Sequence, residues 1–349
     1  MEYKGRILLL MCLCILMGCS SNKQKSKSAE EIELTGKQWN VTDDLGRTYD
    51  MGIVGDFMYL RNDWGDTKLT LIDISDKKNI YNFGKRGDGP NELINPGPAI
   101  FRSNSIDVFD GSKMALLRYD VNHVVSGDSL ATQTLLQTNL SGIISLVELS
   151  DSYYVASGVF PEGRLCLLDK NGTVCTYAGH YPISTDLVDV PFHVLGVAFQ
   201  SLMCVQPMTK RTALVTRYGG ILQIYEWDLV KKTAKEVCCM NEFSPQLATK
   251  DINGTPNFRP DRETRWGYLA VAGTDKYIFA LYSGQLQMEG NAFYLGNEVH
   301  VFDWNGNFCY LLHLDCQASS LAVKENNLFV LAEYDNAGND VVEYDLLFE

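Results

Sequence analysis

The sequence has no apolar run long enough to cross a bilayer as a helix. Its longest, Ile7–Met17, covers 11 residues, against the roughly 20 that a span needs. Basic residues are scarce: 30 Lys and Arg stand against 43 Asp and Glu in 349 residues, a formal net charge of −13. No basic stripe interrupts that balance, so the chain repels nucleic acid. Proline is sparse at 10 residues, and no Pro- or Ser-rich linker occurs inside 40–349 to divide the chain into domains. No window of a dozen residues carries a helical stripe of apolar positions. Catalytic signatures are missing too: there is no Ser-centred elbow, no His-Glu-x-x-His and no EF-hand loop.

What is present is a repeated strand pattern. In Lys276–Asn307 an apolar run, Tyr277–Tyr282, is followed by the half-apolar run Glu298–Asp303, the turn Asp303-Trp304-Asn305-Gly306 and a third run, Phe308–Leu312. Six-residue runs rich in aromatic and β-branched residues, split by Asn-Gly, predict antiparallel strands. The first run is apolar on both faces, which predicts an inner, fully buried strand. The same pattern recurs at Phe57–Leu60 with Leu69–Asp73, Ile106–Phe109 with Ala115–Asp120, and Tyr153–Ala156 with Arg164–Asp169. It returns at Ala213–Thr216 with Ile221–Asp228 and at Leu328–Ala332 with Val341–Asp345. The closing carboxylates Asp73, Asp120, Asp169, Asp228, Asp303 and Asp345 lie 47, 49, 59, 75 and 42 residues apart. Four-stranded propeller blades recur at roughly 40–50 residues. The expected fold is therefore all-β: a six-bladed β-propeller of four-stranded antiparallel blades, with two insertions. The C-terminal blade has only three clear strands, Ser320–Val323, Leu328–Ala332 and Val341–Tyr344, before the chain ends at Glu349. Part of Glu31–Val41 is expected to supply the fourth strand and close the ring.

Residues 1–18 carry Lys4 and Arg6 ahead of the apolar run, and Leu16-Met17-Gly18-Cys19 follows it. This stretch resembles a bacterial lipoprotein signal, with Cys19 as the residue to be acylated; an ordinary secretory signal is the alternative. Residues 19–31 are polar and predict a flexible tether, leaving 32–349 as the propeller. Cleavage would remove Glu2, Lys4 and Arg6, leaving 28 basic against 42 acidic residues and a net charge of −14. Seven cysteines remain beyond Cys19: Cys166, Cys175, Cys204, Cys238, Cys239, Cys309 and Cys316. An odd count forbids complete pairing, and Cys238-Cys239 is vicinal, without zinc-type spacing. Buried free thiols are expected, although Cys166 and Cys175 flank the turn Asp169–Gly172 and could face each other across a hairpin.

The stretch Gly84-Lys85-Arg86-Gly87-Asp88-Gly89-Pro90-Asn91-Glu92-Leu93, with Pro96, invites a phosphate-loop reading. No helix follows it and Gly-Lys-Ser/Thr is missing, which argues against that chemistry. Instead, Gly84, Gly87, Gly89, Leu93 and Pro96 match the blade-to-blade connector of NHL-type propellers, and a structural crossover is expected. Gly267–Ala272, Asp275–Gly284 and Val301–Gly306 resemble the TolB-like six-bladed propeller lipoproteins of Bacteroidetes. The resemblance implies the fold over most of the chain and carries no catalytic motif.

Function is expected in the insertions, because long loops on a rigid scaffold are usual binding sites. Ala178–Gly196 holds His180, Asp186, Asp189 and His193, the histidines too far apart for a metal pair. Met240–Trp266 holds Arg259, Arg262, Arg265, Phe243, Phe258 and Trp266, a composition enriched at interfaces. Arg259, Arg262, Arg265, Trp266 and Phe258 are the candidate binding residues. The expected function is a monomeric, lipid-anchored platform of the outer membrane, non-catalytic and without cofactor or metal. It would bind an envelope protein, peptide or glycan, and not nucleic acid. The basic residues after Cys19 differ from an acidic surface-export signal, so it is expected to face the periplasm, with the cell surface as the second placement. The alternative is a calcium-dependent propeller hydrolase of lactones or esters, for which Asp107, Asp151, Asp275 and Glu325, near inner-strand starts, would have to converge on the channel.

Overall fold

The computed structural model describes residues 29–41, 45, 48–62, 65–183, 190–247, 249–252, 254–289, 292–334 and 338–348. The leader, Cys19 and most of the tether lie outside the described residues. Two short strands come first, β1 (Glu30–Leu34) and β2 (Lys37–Gln38). Blade one is β3 (Thr48–Val54), β4 (Phe57–Asn62), β5 (Thr67–Asp73) and β6 (Ile80–Lys85). Blade two is β7 (Pro96–Phe101), β8 (Ser105–Asp110), β9 (Ala115–Asp120) and β10 (Gln133–Gln137), with helix α1 (Val121–Val125) between its last two strands. Blade three is β11 (Ile143–Ser150), β12 (Tyr153–Gly158), β13 (Leu165–Asp169) and β14 (Val174–Ala178). Helix α2 (Phe192–Ala198) leads into blade four: β15 (Ser201–Val205), β16 (Arg211–Thr216), β17 (Ile221–Asp228) and β18 (Thr233–Asn241). A separate hairpin follows, β19 (Thr249–Ile252) and β20 (Thr255–Phe258), then β21 (Tyr268–Gly273), β22 (Tyr277–Tyr282), β23 (Gly296–Asp303), β24 (Phe308–Lys324), β25 (Asn327–Tyr334) and β26 (Gly338–Asp345).

Four of the blades are separate four-stranded antiparallel sheets. The last two share β24, which is 17 residues long. Its first part pairs with β23 as the outer strand of blade five, and its second part pairs with β25 as the inner strand of blade six. Inner-strand residues of all six blades, among them Gly52, Pro98, Leu146, Met203, Val271 and Leu321, line one central channel of about 800 Å³. That channel corrects the expectation for Tyr277–Tyr282. It is the second strand of blade five, and the inner strand is Tyr268–Gly273. Second and third strands are packed on both faces between neighbouring blades, so they are the most apolar; an inner strand meets the open channel.

The recurring aspartates end the third strand of every blade. In blades one, three, four and five the carboxylate accepts backbone N–H groups of the turn that follows. Asp169 Oδ1 accepts from Asn171 N (2.8 Å) and Thr173 N (2.9 Å), and Asp303 Oδ1 from Asn305 N (2.8 Å) and Asn307 N (2.9 Å). The Ser75 hydroxyl and the Asp76 N–H hold Asp73 below the usual carboxylate range, as the Lys231 N–H and ammonium do for Asp228. In blade two Asp120 instead caps α1, accepting from Asn122 N and His123 N. These are side-chain turns that satisfy donors the ladder leaves over.

The glycine-rich stretch is the crossover from β6 to β7. Gly84 takes φ +67°, which calls for glycine, and a Cβ at Gly87 would lie 2.0 Å from Glu92 Oε2 and push that carboxylate aside. Leu93 is fully buried and plugs the loop. The buried Asp110 carboxylate holds the crossover from the neighbouring blade: it accepts from Ile94 N (2.7 Å), Asn95 N (3.2 Å), Ser112 N (2.9 Å) and Lys113 N (3.0 Å). Asp110→Ala would orphan these donors and should cost about 3 kcal/mol in denaturant unfolding, with Asp110→Asn costing less. A loss below about 1 kcal/mol would show that the loop finds other acceptors.

The ring is closed by the N-terminal segment. β2 pairs antiparallel with β26, and Trp39 N donates to Val341 O (2.9 Å). Lys37 Nζ meets Asp345 at 2.8 Å, so this last aspartate serves the closure strand where its counterparts serve a turn or cap. Trp39 and Val41 are buried with Leu45 among side chains of blades six and one, including Phe329, Leu331, Met58 and Leu60. β1 lies parallel outside β24 on blade five, Glu30 opposite Tyr310 and Leu34 opposite Leu314. The tether boundary expected at residue 31 therefore falls inside a strand.

The seven cysteines beyond Cys19 are all free, and only Cys166 and Cys204 are buried. Cys166 stands opposite Tyr177, and a register shift between Leu167 and Leu168 leaves Cys175 without an opposing residue, so the two cysteines are not a cross-strand pair. Burial pushes the Cys166 thiol up to about 12, away from reactivity.

Candidate functional site

An inner strand starts on the face to which the second strand returns. Blade crossovers and second-to-third-strand loops therefore gather on one face of the ring, and the hairpins between first and second strands gather on the other. Both insertions are crossovers, residues 178–201 between β14 and β15 and residues 241–268 between β18 and β21. The long loop 283–295 of blade five lies on the same face.

The insertions pack against each other. Val194, Leu195 and Phe199 of the first form one apolar cluster with Phe258 of the second and with Tyr218 and Ile221 of blade four. His193 Nε2 donates to Pro256 O at 2.8 Å, which occupies it structurally. The second insertion is not irregular throughout, since β19 and β20 form a hairpin. Gly254 takes φ +81° between its two strands. Phe258 is buried in the shared cluster and is not offered to a partner. Arg259, Arg262 and Arg265 are exposed, the last 5.5 Å over the Phe243 ring. Trp266 is half-buried, its ring centroid 5.1 Å from that of Tyr218 and 4.9 Å from that of Phe293. His180 is exposed, and Asp186 and Asp189 lie outside the described residues.

Beside Trp266, at the channel mouth, is a cavity of about 840 Å³. Tyr49, Phe293 and Tyr294 join Trp266 in its wall, and two guanidinium groups, Arg61 and Arg217, enter it. They stand at the ends of the second strands of blades one and four, Arg61 next to last in β4 and Arg217 just after β16, opposite each other in a ring of six. Arg61 donates to Pro96 O (2.9 Å) and lies 3.6 Å from Asp50. Arg217 has neither a side-chain hydrogen bond nor an ion pair among the described residues; its guanidinium lies 6.0 Å from the Trp266 ring. Desolvation pushes its pKa down, though a guanidinium stays charged at neutral pH. Sequence reasoning missed both residues. The one available signal was an arginine ending the same run in two blades, and that becomes meaningful only once the blades are placed in a circle.

Arg164 was missed as well. It is fully buried between blades three and four. It donates to the carbonyl of Phe199 (3.1 Å), to Ser201 Oγ (2.5 Å), to Thr216 Oγ1 (2.6 Å) and to Gln223 Oε1. It thereby pins the first insertion to the ring.

The carboxylates named for a hydrolase do not meet. Asp107 is buried and held by Arg118 (2.6 and 2.7 Å) and Arg102 (2.9 Å). Asp151, Asp275 and Glu325 are exposed in hairpin turns of three different blades, on the face opposite the insertions. They stand at inner-strand ends, not starts.

With six inner strands around one channel, the fold can be compared with known families. The TolB-like 6-blade propeller-like family matches residues 26–326. The chain belongs to that family. As a TolB-like propeller it is similar to a Bacteroides fragilis protein described as exported, at 11% identity and TM-score 0.54 over 91% of this chain and 100% of the other. It is similar to a member of the duf4221 family from Bacteroides vulgatus, at 12% identity and TM-score 0.51 over 86% and 94%. A luciferin-regenerating enzyme also matches, at 9% identity and TM-score 0.51 over 89% and 95%. An enzyme and an exported protein share this architecture, so these likenesses describe fold alone. No curated protein matches the chain.

Proposed function

We propose that this propeller is a non-catalytic binding platform of the cell envelope, monomeric and held by a lipid on Cys19 at the outer membrane, facing the periplasm. The observation that carries this reading is the gathering of both insertions and the blade-five loop on one face. Arg259, Arg262 and Arg265 stand exposed there, together with the large apolar side chains of Phe192, Met288, Tyr294 and Tyr49. Arginine offers bidentate contacts and stacks on rings, and such mixed patches are typical of protein interfaces. The fold supplies rigidity, so a partner would meet a preformed surface. The partner is an envelope protein, peptide or glycan, and the chain's negative charge speaks against nucleic acid.

A photo-crosslinking residue placed at Arg262 in intact cells is expected to give a discrete adduct, and one placed at Val230, on the opposite face, none. Arg259→Ala, Arg262→Ala and Trp266→Ala should each weaken the captured partner by about 1–2 kcal/mol. Equal adducts from both faces, or none from Arg262, would remove the platform reading. Cys19→Ala should release the protein from membranes; unchanged fractionation would remove the lipid anchor.

A further inference from the structure

The channel-mouth cavity contains charge that the protein itself does not satisfy. Arg217, one residue past the end of β16, finds no protein acceptor for its guanidinium among the described residues. It is half-buried, and a desolvated cation without a partner is costly. Arg61, from the opposite blade, is held by the Pro96 carbonyl and by Asp50 at 3.6 Å, longer than a hydrogen bond, and its Nε is out of solvent contact without an acceptor. Burial lowers the Arg217 pKa, and the positive charge of Arg61 adds to that while Asp50 opposes it. The indole N–H of Trp266, also in the wall, is out of solvent contact and has no acceptor. The Glu333 carboxylate at the cavity edge is engaged by the Tyr294 hydroxyl (3.0 Å). On a chain of net charge −13, this leaves a guanidinium beside aromatic rings as the feature suited to an anionic ligand.

Resting on the reading of this face as the binding face, we infer that the cavity is a binding site for a small organic acid, its carboxylate on Arg217 and its ring-shaped body against Trp266. A guanidinium matches a carboxylate with two parallel N–H···O bonds, and aromatic walls with a few placed polar groups suit a compact ring. The cavity's size, about 840 Å³, fits a small ligand or the last residues of a chain, and excludes a folded domain. The carboxylate is common to a free acid and to a peptide C-terminus, so the test separates them.

Hippurate and its uncharged amide, hippuramide, would be titrated into the full-length protein in detergent, following Trp fluorescence and calorimetry. A second pair would be a pentapeptide ending in Phe with a free or an amidated C-terminus. Acid over amide by at least tenfold in either pair is the expected result. Preference in the first pair alone identifies a free acid, and preference in both extends the site to chain ends. Arg217→Gln should abolish the preference, Arg217→Lys should keep part of it, and Trp266→Ala should weaken acid and amide alike. Equal binding of acid and amide, no binding of any probe up to about 10 mM, or preserved preference in a folded Arg217→Gln protein would overturn the inference. The wild-type comparison needs no variant to fold. Crosslinking from Arg262 that persists whatever the acids do would leave the platform intact while the acid site fails.

Discussion

A chain beginning at residue 42 should melt roughly 10 °C or more below one beginning at residue 29, and should aggregate on heating. The shorter chain lacks β1, β2 and the segment Trp39–Val41. Leu34, Trp39 and Val41 are each buried, and burying a large apolar side chain contributes about 1.5–3 kcal/mol. For a domain of this size each kcal/mol moves the melting point by about 1.5 °C. The backbone loss adds to this. The carboxylate of Asp340, itself buried, accepts from Asn40 N (3.0 Å), Val41 N (3.1 Å) and Val341 N (2.8 Å), and would keep only the last. β26 would become an open edge, a template for pairing with other chains. A gentler version needs no truncation. A Cβ at Gly36 would lie 2.2 Å from Val342 Cγ1 and 2.8 Å from the Tyr344 ring, so Gly36→Ala should displace the strand. Equal melting temperatures for the two truncated chains would mean that closure is made elsewhere.

Arg164→Ala should cost about 3–5 kcal/mol, because it leaves buried acceptors unpaired and opens a cavity. Burial pushes the guanidinium pKa down to about 10, so the charge is carried at neutral pH at a desolvation cost. Neutral acceptors spread it: a backbone carbonyl, two hydroxyls and Gln223. Beyond Gln223 lies the nearest negative charge, Glu236, which accepts from Gln223 Nε2 (2.8 Å) and from Tyr225 Oη (3.1 Å). Removing Arg164 leaves a cavity and takes one of two donors from the Phe199 carbonyl, which keeps Ser201 Oγ (2.8 Å), where the first insertion joins blade four. Arg164→Met fills most of the volume without the charge, and should lose about half as much. Unfolding in denaturant measures both. If Ala and Met lose equally, the polar network matters and the volume does not; if neither loses more than about 1 kcal/mol, Arg164 is not the pin described.

The blades were legible in the sequence because each is a local event. A run apolar on both faces, a turn and an aspartate recur with a spacing that reflects one hairpin after another, and Asp169 or Asp303 needs only its own turn to act. The crossover at Gly84–Pro96 was legible for the same reason, since its glycines answer to the loop's own backbone. The missing fourth strand of the last blade could be inferred from a count, and Lys37–Gln38 supplies it. Which strand faces the channel could not be read from apolarity, because packing between blades, and not distance from the axis, sets how apolar a strand is. Phe258 has the composition of an interface residue, yet the fold turns it into the cluster between the insertions. Arg61 and Arg217 are 156 residues apart, and Arg164 acts on residues up to 59 positions away. Their roles depend on the blades closing into a circle, which brings opposite members to one channel mouth. Local hydrogen bonding and apolar pattern determined the repeats; the tertiary ring decided which side chains meet.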